Sequence, residues 1–301
     1  MSMPRYLRTA LLVSCLLLPT FAFADRPAAQ PATASDNATA RTWHDDVAAM
    51  AAASDNAARR AVLRQRLDAL ALPSLETAFS IDDAHGRNLL ASVAGAADAP
   101  LLLLGAHLDR IDQGQGVTDN AAGTAVVLEL ARRFQRQPLA HHRVTVAFWD
   151  LEEKGLLGAR AYIANGGEKP ALYVNFDVFG WGDTLWMMVP DAAQPLRAAS
   201  EAAARDAGIG FSGGDKYPPT DHLAFLKAGW PAVSYSLVGG DEIPAILQIF
   251  ARQLPERMPK VMEVIHTEAD TLDKVDAVAV ARGIDAVESA LRRWDVAAAT
   301  P

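Results

Sequence analysis

Downstream of residue 88 the apolar positions alternate between two rhythms. Residues 89–93, 101–105, 144–149, 172–178, 185–189 and 233–237 are short, dense apolar runs, as expected of strands, and 101–105 is continuous enough to be buried on both faces. Between them, residues 120–134, 156–163, 196–207 and 275–294 carry apolar side chains on one side of a helical repeat. Strands and helices that take turns in this way predict a three-layer α/β sandwich around a mostly parallel, mixed sheet.

The beginning of the chain reads differently. Residues 41–72 have helical apolar spacing through Trp43, Val47, Met50, Val62, Leu63, Leu67 and Leu70, stopped by Pro73. Residues 25–40 are rich in Ala, Pro, Thr and Ser without periodicity, which predicts a disordered linker. Before them, Arg5 and Arg8 precede an apolar run over 9–23 that ends in Ala22-Phe23-Ala24. That is the pattern of a signal peptide cleaved before Asp25, and the run is shorter than the ~20 residues needed to span a bilayer. The expected organisation is therefore a signal peptide over 1–24, a linker over 25–40 and a single catalytic domain over 41–301. The protein would be exported, to the periplasm or the medium. Leu12-Val13-Ser14-Cys15 is the alternative, a lipid anchor through Cys15, but the residues after Cys15 stay apolar where a lipoprotein turns polar.

Composition narrows the chemistry. Cys15 is the only cysteine of the 301 residues, so a chain cleaved after Ala24 has no disulfide and no thiolate ligand. Any metal site must use His, Asp and Glu. The formal charge of −8 becomes −10 once the leader, with Arg5 and Arg8, is removed. Lys and Arg form no stripe, which argues against a nucleic-acid partner.

In an open α/β sheet, ligands bind beyond the carboxyl ends of the strands. His107 follows the 101–105 run, Glu152 and Glu153 follow 144–149, and Asp177 ends 172–178, so these residues can converge on one rim. Asp109, two residues after His107, can accept the second ring N–H and fix the tautomer. Asp119 opens the next helix, either as a helix cap or as a carboxylate shared by two metals, with Ala121, Ala122 and Gly123 small enough for close packing. Two adjacent acids after a buried strand are costly unless solvated, paired or bound to a cation. His266 stands between an apolar stretch and a polar loop. Each of these features alone is more often structural.

Their order is specific. His-x-Asp at 107–109, Thr-Asp-Asn-Ala-Ala-Gly at 118–123, Glu-Glu at 152–153, Asn-x-Asp at 175–177 and His-Thr-x-Ala-Asp at 266–270 together resemble the di-zinc exopeptidase family of bacterial leucyl aminopeptidase, aminopeptidase Y and glutamate carboxypeptidase II. Asn88, Leu157-Gly158-Ala159-Arg160 and Asp221-His222-Leu223-Ala224-Phe225 add to the likeness, which covers about residues 41–295. The resemblance implies the zinc-exopeptidase (phosphorylase/hydrolase-like) fold, two zinc ions and peptide substrates. It implies that His107 and Asp177 hold one ion, Glu153 and His266 the other, and Asp119 both. It makes Glu152 the general base, has Asp109 orient His107, and gives Asp221 and His222 a supporting or substrate-side place. Aminopeptidase is expected over carboxypeptidase from family frequency alone.

Three rivals remain. Glutaminyl cyclase is related and shares several ligand positions. A non-catalytic relative would lack ligands, and none is missing. Gly210-Phe211-Ser212-Gly213-Gly214 fits a serine-hydrolase elbow in letters, but that motif needs a strand before it and a helix after it, and here a flexible loop is expected. Phe179, Trp181, Trp186, Met187, Phe211 and Tyr217 could line a side-chain pocket, although core packing is the commoner fate. Asp241-Glu242 could attract an ammonium group, although a solvated turn is the commoner one.

Overall fold

The computed structural model describes residues 32–191 and 194–298. The predicted signal peptide, and Cys15 with it, lies outside the described residues. Eight strands form one sheet in the order β1-β2-β4-β3-β5-β8-β6-β7. They are β1 (Ser74–Ile81), β2 (Ala84–Ala94), β3 (Leu101–His107), β4 (Arg143–Trp149), β5 (Leu172–Phe179), β6 (Thr184–Met188), β7 (Gly210–Gly214) and β8 (Ala232–Val238). The centre, β4-β3-β5-β8, is parallel, and so is the β6/β7 pair. The β1/β2, β2/β4 and β6/β8 pairs are antiparallel.

Helices cover both faces, as the alternating pattern requires. They are α1 (Ala34–Ala51), α2 (Asn56–Ala69), α3 (Ala122–Arg136), α4 (Leu157–Ala164), α5 (Pro195–Asp206), α6 (His222–Lys227), α7 (Ile243–Phe250), α8 (Lys260–Val264) and α9 (Ala277–Ala298). The side chains of β3 show how the two cores divide. Leu102, Leu104 and Ala106 join the larger core, with residues of α1, α3 and α9 such as Trp43, Val127, Ile284 and Leu291. Leu101 and Leu103 face the other way, toward Trp149, Tyr173, Ala159 of α4 and Phe225 of α6. Among the described residues, no helix is long and apolar enough to cross a membrane.

Four local expectations need correction. The linker predicted over 25–40 is helical from Ala34, because Thr33 and Asp36 form a capping box: the Asp36 N–H donates to Thr33 Oγ1 at 3.1 Å and the Thr33 N–H to Asp36 Oδ2 at 2.7 Å. The helix predicted over 41–72 is two helices, since Asp55 accepts the Ala58 N–H at 2.7 Å and starts α2 afresh. The loop predicted at 210–214 is the edge strand β7, paired with β6. Ser212 therefore sits inside a strand and not on a strand-to-helix turn, which removes the serine-hydrolase reading. Finally, Glu242 is no solvated turn residue. Its carboxylate accepts from Trp181 Nε1, Gly239 N–H and Val261 N–H at 3.0, 3.3 and 3.0 Å.

Candidate metal centre

The rim at the carboxyl ends of β3, β4 and β5 collects the acids and histidines. His107 is the last residue of β3 and is 1% exposed. Its backbone is fixed on both sides, because Thr124 Oγ1 donates to the His107 carbonyl at 2.9 Å and the Leu108 N–H donates to the Trp149 carbonyl at 2.7 Å. One ring nitrogen, Nδ1, lies 3.2 Å from the Asp109 carbonyl and 3.4 Å from the Asp109 carboxylate. That turns Nε2 outward, 3.0 Å from Asp119 Oδ1 and 3.5 Å from Asp177 Oδ1.

Asp119 does not cap α3. It lies in a wide turn, 117–121, ahead of that helix, whose residues 119 and 120 leave helical backbone angles. Asn120 closes the turn by donating to the Phe176 carbonyl at 2.9 Å and accepting the Gly123 N–H at 3.0 Å. A side chain at 123 would strike both the Asn120 amide and the Phe176 carbonyl, so glycine is required for this approach. From the other side, Asp270 accepts the N–H groups of Thr118 and Asp119 at 2.7 and 3.2 Å.

The second half of the site comes from β4 and from the segment after α8. The carboxylate of Asp109, 1% exposed, accepts the Glu152 N–H at 3.0 Å and the Glu153 N–H at 3.2 Å. Asp109 therefore holds the acid pair as well as facing His107. Glu153 Oε2 reaches His266 Nε2 at 3.0 Å, and the same nitrogen is 3.1 Å from Asp119 Oδ2. Leu151, Val178 and His266 all have positive φ, between 52° and 59°. Each left-handed non-glycine residue costs about 1–3 kcal/mol, and these three sit at or beside Glu152, Asp177 and His266.

Two sets of ligand atoms thus form, His107-Asp119-Asp177 and Asp119-Glu153-His266, each within 4.8 Å. Asp119 belongs to both and offers one oxygen to each. The expected ligands all meet here. The site opens beside His266, whose side chain is half exposed, whereas His107 is sealed.

Charge in this site is unbalanced. Burial, opposed by His107, pushes the Glu152 carboxyl up to about 10, with Asp221, Asp177 and Asp119 adding to the rise. Burial also raises Glu153. Contacts with Asp119 and Glu153 push His266 up to about 10. Asp119 is held below the usual carboxylate range by both imidazoles, against its burial. Asp221 is fully buried with both carboxylate oxygens unpartnered, and burial raises it well above its ordinary value. Burial pulls its neighbour His222 down to about 3, so that ring is neutral.

Two residues with a place here carried no such assignment in the sequence. Asp270 was visible as the last acid of the His-Thr-x-Ala-Asp segment, but its bonds to residues 118 and 119 are tertiary. Arg59, on α2, is 1% exposed and donates from Nη2 to the carbonyls of Gln115 and Gly116 at 2.6 and 3.0 Å. Of the aromatic candidates, Trp186 and Tyr217 line an apolar pocket beside Asp177, with Val178, Phe250 and Ile265. Phe179 and Met187 are core residues, Phe211 packs on that core, and Trp181 belongs to a separate apolar cluster.

The family described as Peptidase family M28 matches residues 88–291. Leupeptin-inactivating enzyme 1 of Streptomyces exfoliatus is 29% identical over 79% of this chain and 55% of that protein. Leucine aminopeptidase 2 of Trichophyton rubrum is 26% identical over 69% of this chain and 44% of that protein. The chain thus spans about half the length of these curated relatives. Among solved structures, glutaminyl cyclase of Porphyromonas gingivalis aligns with a TM-score of 0.65 at 21% identity, over 86% of this chain and 98% of that one. A zinc aminopeptidase from Bacillus subtilis aligns at 0.56 and 20% identity, over 70% of this chain and 50% of that one. These structural likenesses establish a shared fold.

Proposed function

Because the chain belongs to peptidase family M28, we propose that it is a zinc-dependent aminopeptidase that removes N-terminal residues with apolar side chains from peptides. One observation carries the reading: Asp119 joins two sets of N and O ligand atoms, one oxygen to each. Buried His107 Nε2, Glu153 Oε1 and Asp177 Oδ1 have no hydrogen-bond partner among the described residues. Polar atoms left so are costly unless a cation meets them, and imidazole with carboxylate is a donor set that zinc accepts. In this reading His107 and Asp177 would hold one zinc, Glu153 and His266 would hold a second, and Asp119 would serve both.

Bound zinc would supply Lewis-acid charge that polarises the peptide carbonyl and makes a water more acidic. The chain's own residues do the rest. Glu152, whose carboxyl is raised by burial and by the neighbouring acids, would be returned to its ionised form by nearby cation charge; it then accepts the proton of the attacking water and returns it to the departing amine nitrogen. Asp109, by holding the N–H groups of residues 152 and 153, keeps the base and its neighbouring ligand in one register. The pocket of Val178, Trp186, Tyr217, Phe250 and Ile265 adjoins Asp177, and its volume of about 50 Å³ favours a small apolar side chain at the scissile residue.

The test is metal content together with turnover of Leu-p-nitroanilide by protein beginning at Asp25. About two zinc per chain and turnover lost to chelator and restored by zinc are expected. Zinc without amidase activity would overturn the peptidase. It would favour the cyclase reading, which the 98% coverage of the Porphyromonas enzyme keeps in view, and cyclisation of an N-terminal glutamine peptide would be assayed next. Export with cleavage before Asp25 is part of the proposal. Its support is the pattern of residues 1–24, and a mature protein acylated on Cys15 would refute it.

A further inference from the structure

Two consecutive carbonyls converge on one buried donor beneath the turn that carries Asp119. At Gln115 and Gly116 both lie within 3.0 Å of a single nitrogen, Arg59 Nη2. Gly116 has φ +56°, a left-handed conformation that a side chain would oppose, and a Cβ there would press on Arg110 and on the Asp119 carbonyl. The Gly116 carbonyl also accepts the Ala121 N–H at 3.1 Å, the bond that closes the wide turn carrying Asp119. Arg59 is therefore fastened to the base of that turn. Its Nε and Nη1 have no hydrogen-bond partner among the described residues, and its charge is felt by Asp109, Asp119 and Asp270. A fully buried guanidinium with spare donors is expensive, and packing alone would favour an apolar residue at this position of α2.

We infer that Arg59 is a positioning residue for the metal centre: it clamps the 115–121 turn from the carbonyl side, as Asp270 clamps it from the N–H side, so that the two oxygens of Asp119 stay aimed at both ligand sets. The inference rests on the metallopeptidase reading but tests separately from it. Supporting groups of this kind typically change metal affinity 10- to 100-fold. Both bonds come from one nitrogen, which the three donors of an ammonium could also supply, but lysine is shorter and lacks the planar guanidinium that fills the site, so it should recover only part of the effect.

The experiment measures zinc affinity by competition with a chromogenic chelator, on protein shown to be folded by circular dichroism. It compares wild type, R59M, R59K and L63A. Leu63 lies one turn further along the same buried face of α2, in the main core, so L63A loosens the packing of α2 while leaving the guanidinium and the two carbonyls it meets in place. We expect R59M to bind zinc at least ~10-fold more weakly, R59K to fall between R59M and wild type, and L63A to bind as wild type does. Turnover of R59M should recover when zinc is raised. Equal zinc affinity in R59M and wild type would overturn the inference, and so would an equal loss in L63A. Should R59M fail to fold, R59K carries the comparison, and an affinity no weaker than that of L63A refutes the clamp. Wild-type protein that binds no zinc would instead overturn the metallopeptidase reading itself.

Discussion

Two clusters of charge, one where α3 packs with its neighbouring helices and one at the rim ahead of α3, have opposite fates. Between α1, α2, α3 and α9, four acids meet four arginines. Asp46 pairs with Arg66 and Arg132 at 3.0 and 2.6 Å, Glu129 with Arg132 and Arg133 at 3.3 and 2.9 Å, Asp285 with Arg133, and Glu288 with Arg133 and Arg292 at 2.8 Å each. At the rim ahead of α3, Asp109, Asp119, Glu152, Glu153, Asp177 and Asp221 make no ion pair with Lys or Arg among the described residues; two imidazoles contact them, and the Arg59 guanidinium acts on Asp109 and Asp119 only from a distance. Both clusters bear the cost of removing carboxylates from water. The first recovers it from its own side chains. The second has no such pairing from its own side chains, and in the proposed function bound cations would supply it. A buried acid is thus a poor sign of function by itself, and the absence of a protein cation beside several of them is a much better one.

Removing the shared acid should break this contrast most severely. Asp119→Ala takes one ligand from each set at once, and elemental analysis should find zinc lost from both. Turnover should fall by at least about 10⁴-fold, more than the loss of one proton-transfer group costs. Retention of full metal content would refute the bridging position.

Glu152→Gln sharpens the contrast, since it touches the rim acid that stands outside both ligand sets and that we propose as the base. Zinc content should stay at the wild-type level while kcat drops about 10²- to 10⁴-fold. Activity near that of wild type would remove Glu152 as the base. Loss of zinc would make it a ligand and shift the base to another residue.

The two clusters also differ in how legible they are in the sequence. The rim was readable because its residues stand directly after apolar runs: His107 closes β3, Glu152 and Glu153 follow β4, and Asp177 lies in β5. A strand end fixes position, and the parallel centre of the sheet brings such ends together. The paired cluster was not readable, because Arg133 and Asp285 meet across 152 residues and only on the outer surfaces of helices. The same reason hid Arg59 and Asp270, whose partners on the 115–121 turn are equally tertiary. Elsewhere composition misled. The first turns of α1 are masked by an Ala-, Thr- and Ser-rich stretch whose start depends on the Thr33 and Asp36 cap. The strand β7 is a Gly-rich edge with no apolar run to announce it. The irregular turn at Asp119, the residue common to both sets of ligand atoms, has the least periodicity, so only the order of motifs pointed to it.

The smallest effect on catalysis is expected in the paired cluster, and that makes it the control for the comparison. Arg133 is largely buried and is the one cation that contacts Glu129, Asp285, Glu288 and Thr39 together. Arg133→Met keeps much of its length but leaves those acids short of a partner. Breaking a buried pair costs about 3–5 kcal/mol when both groups are fully buried. Asp285 and Glu288 are partly exposed, so solvent screening reduces the expected loss to about 2 kcal/mol. In a domain of this size that corresponds to a fall of roughly 4–8 °C in Tm, with zinc content and kcat/KM unchanged below the transition. If R133M lost zinc or turnover while still folded, the paired cluster would be coupled to the rim through α3, and the division into a self-satisfied cluster and a metal-seeking one would fail.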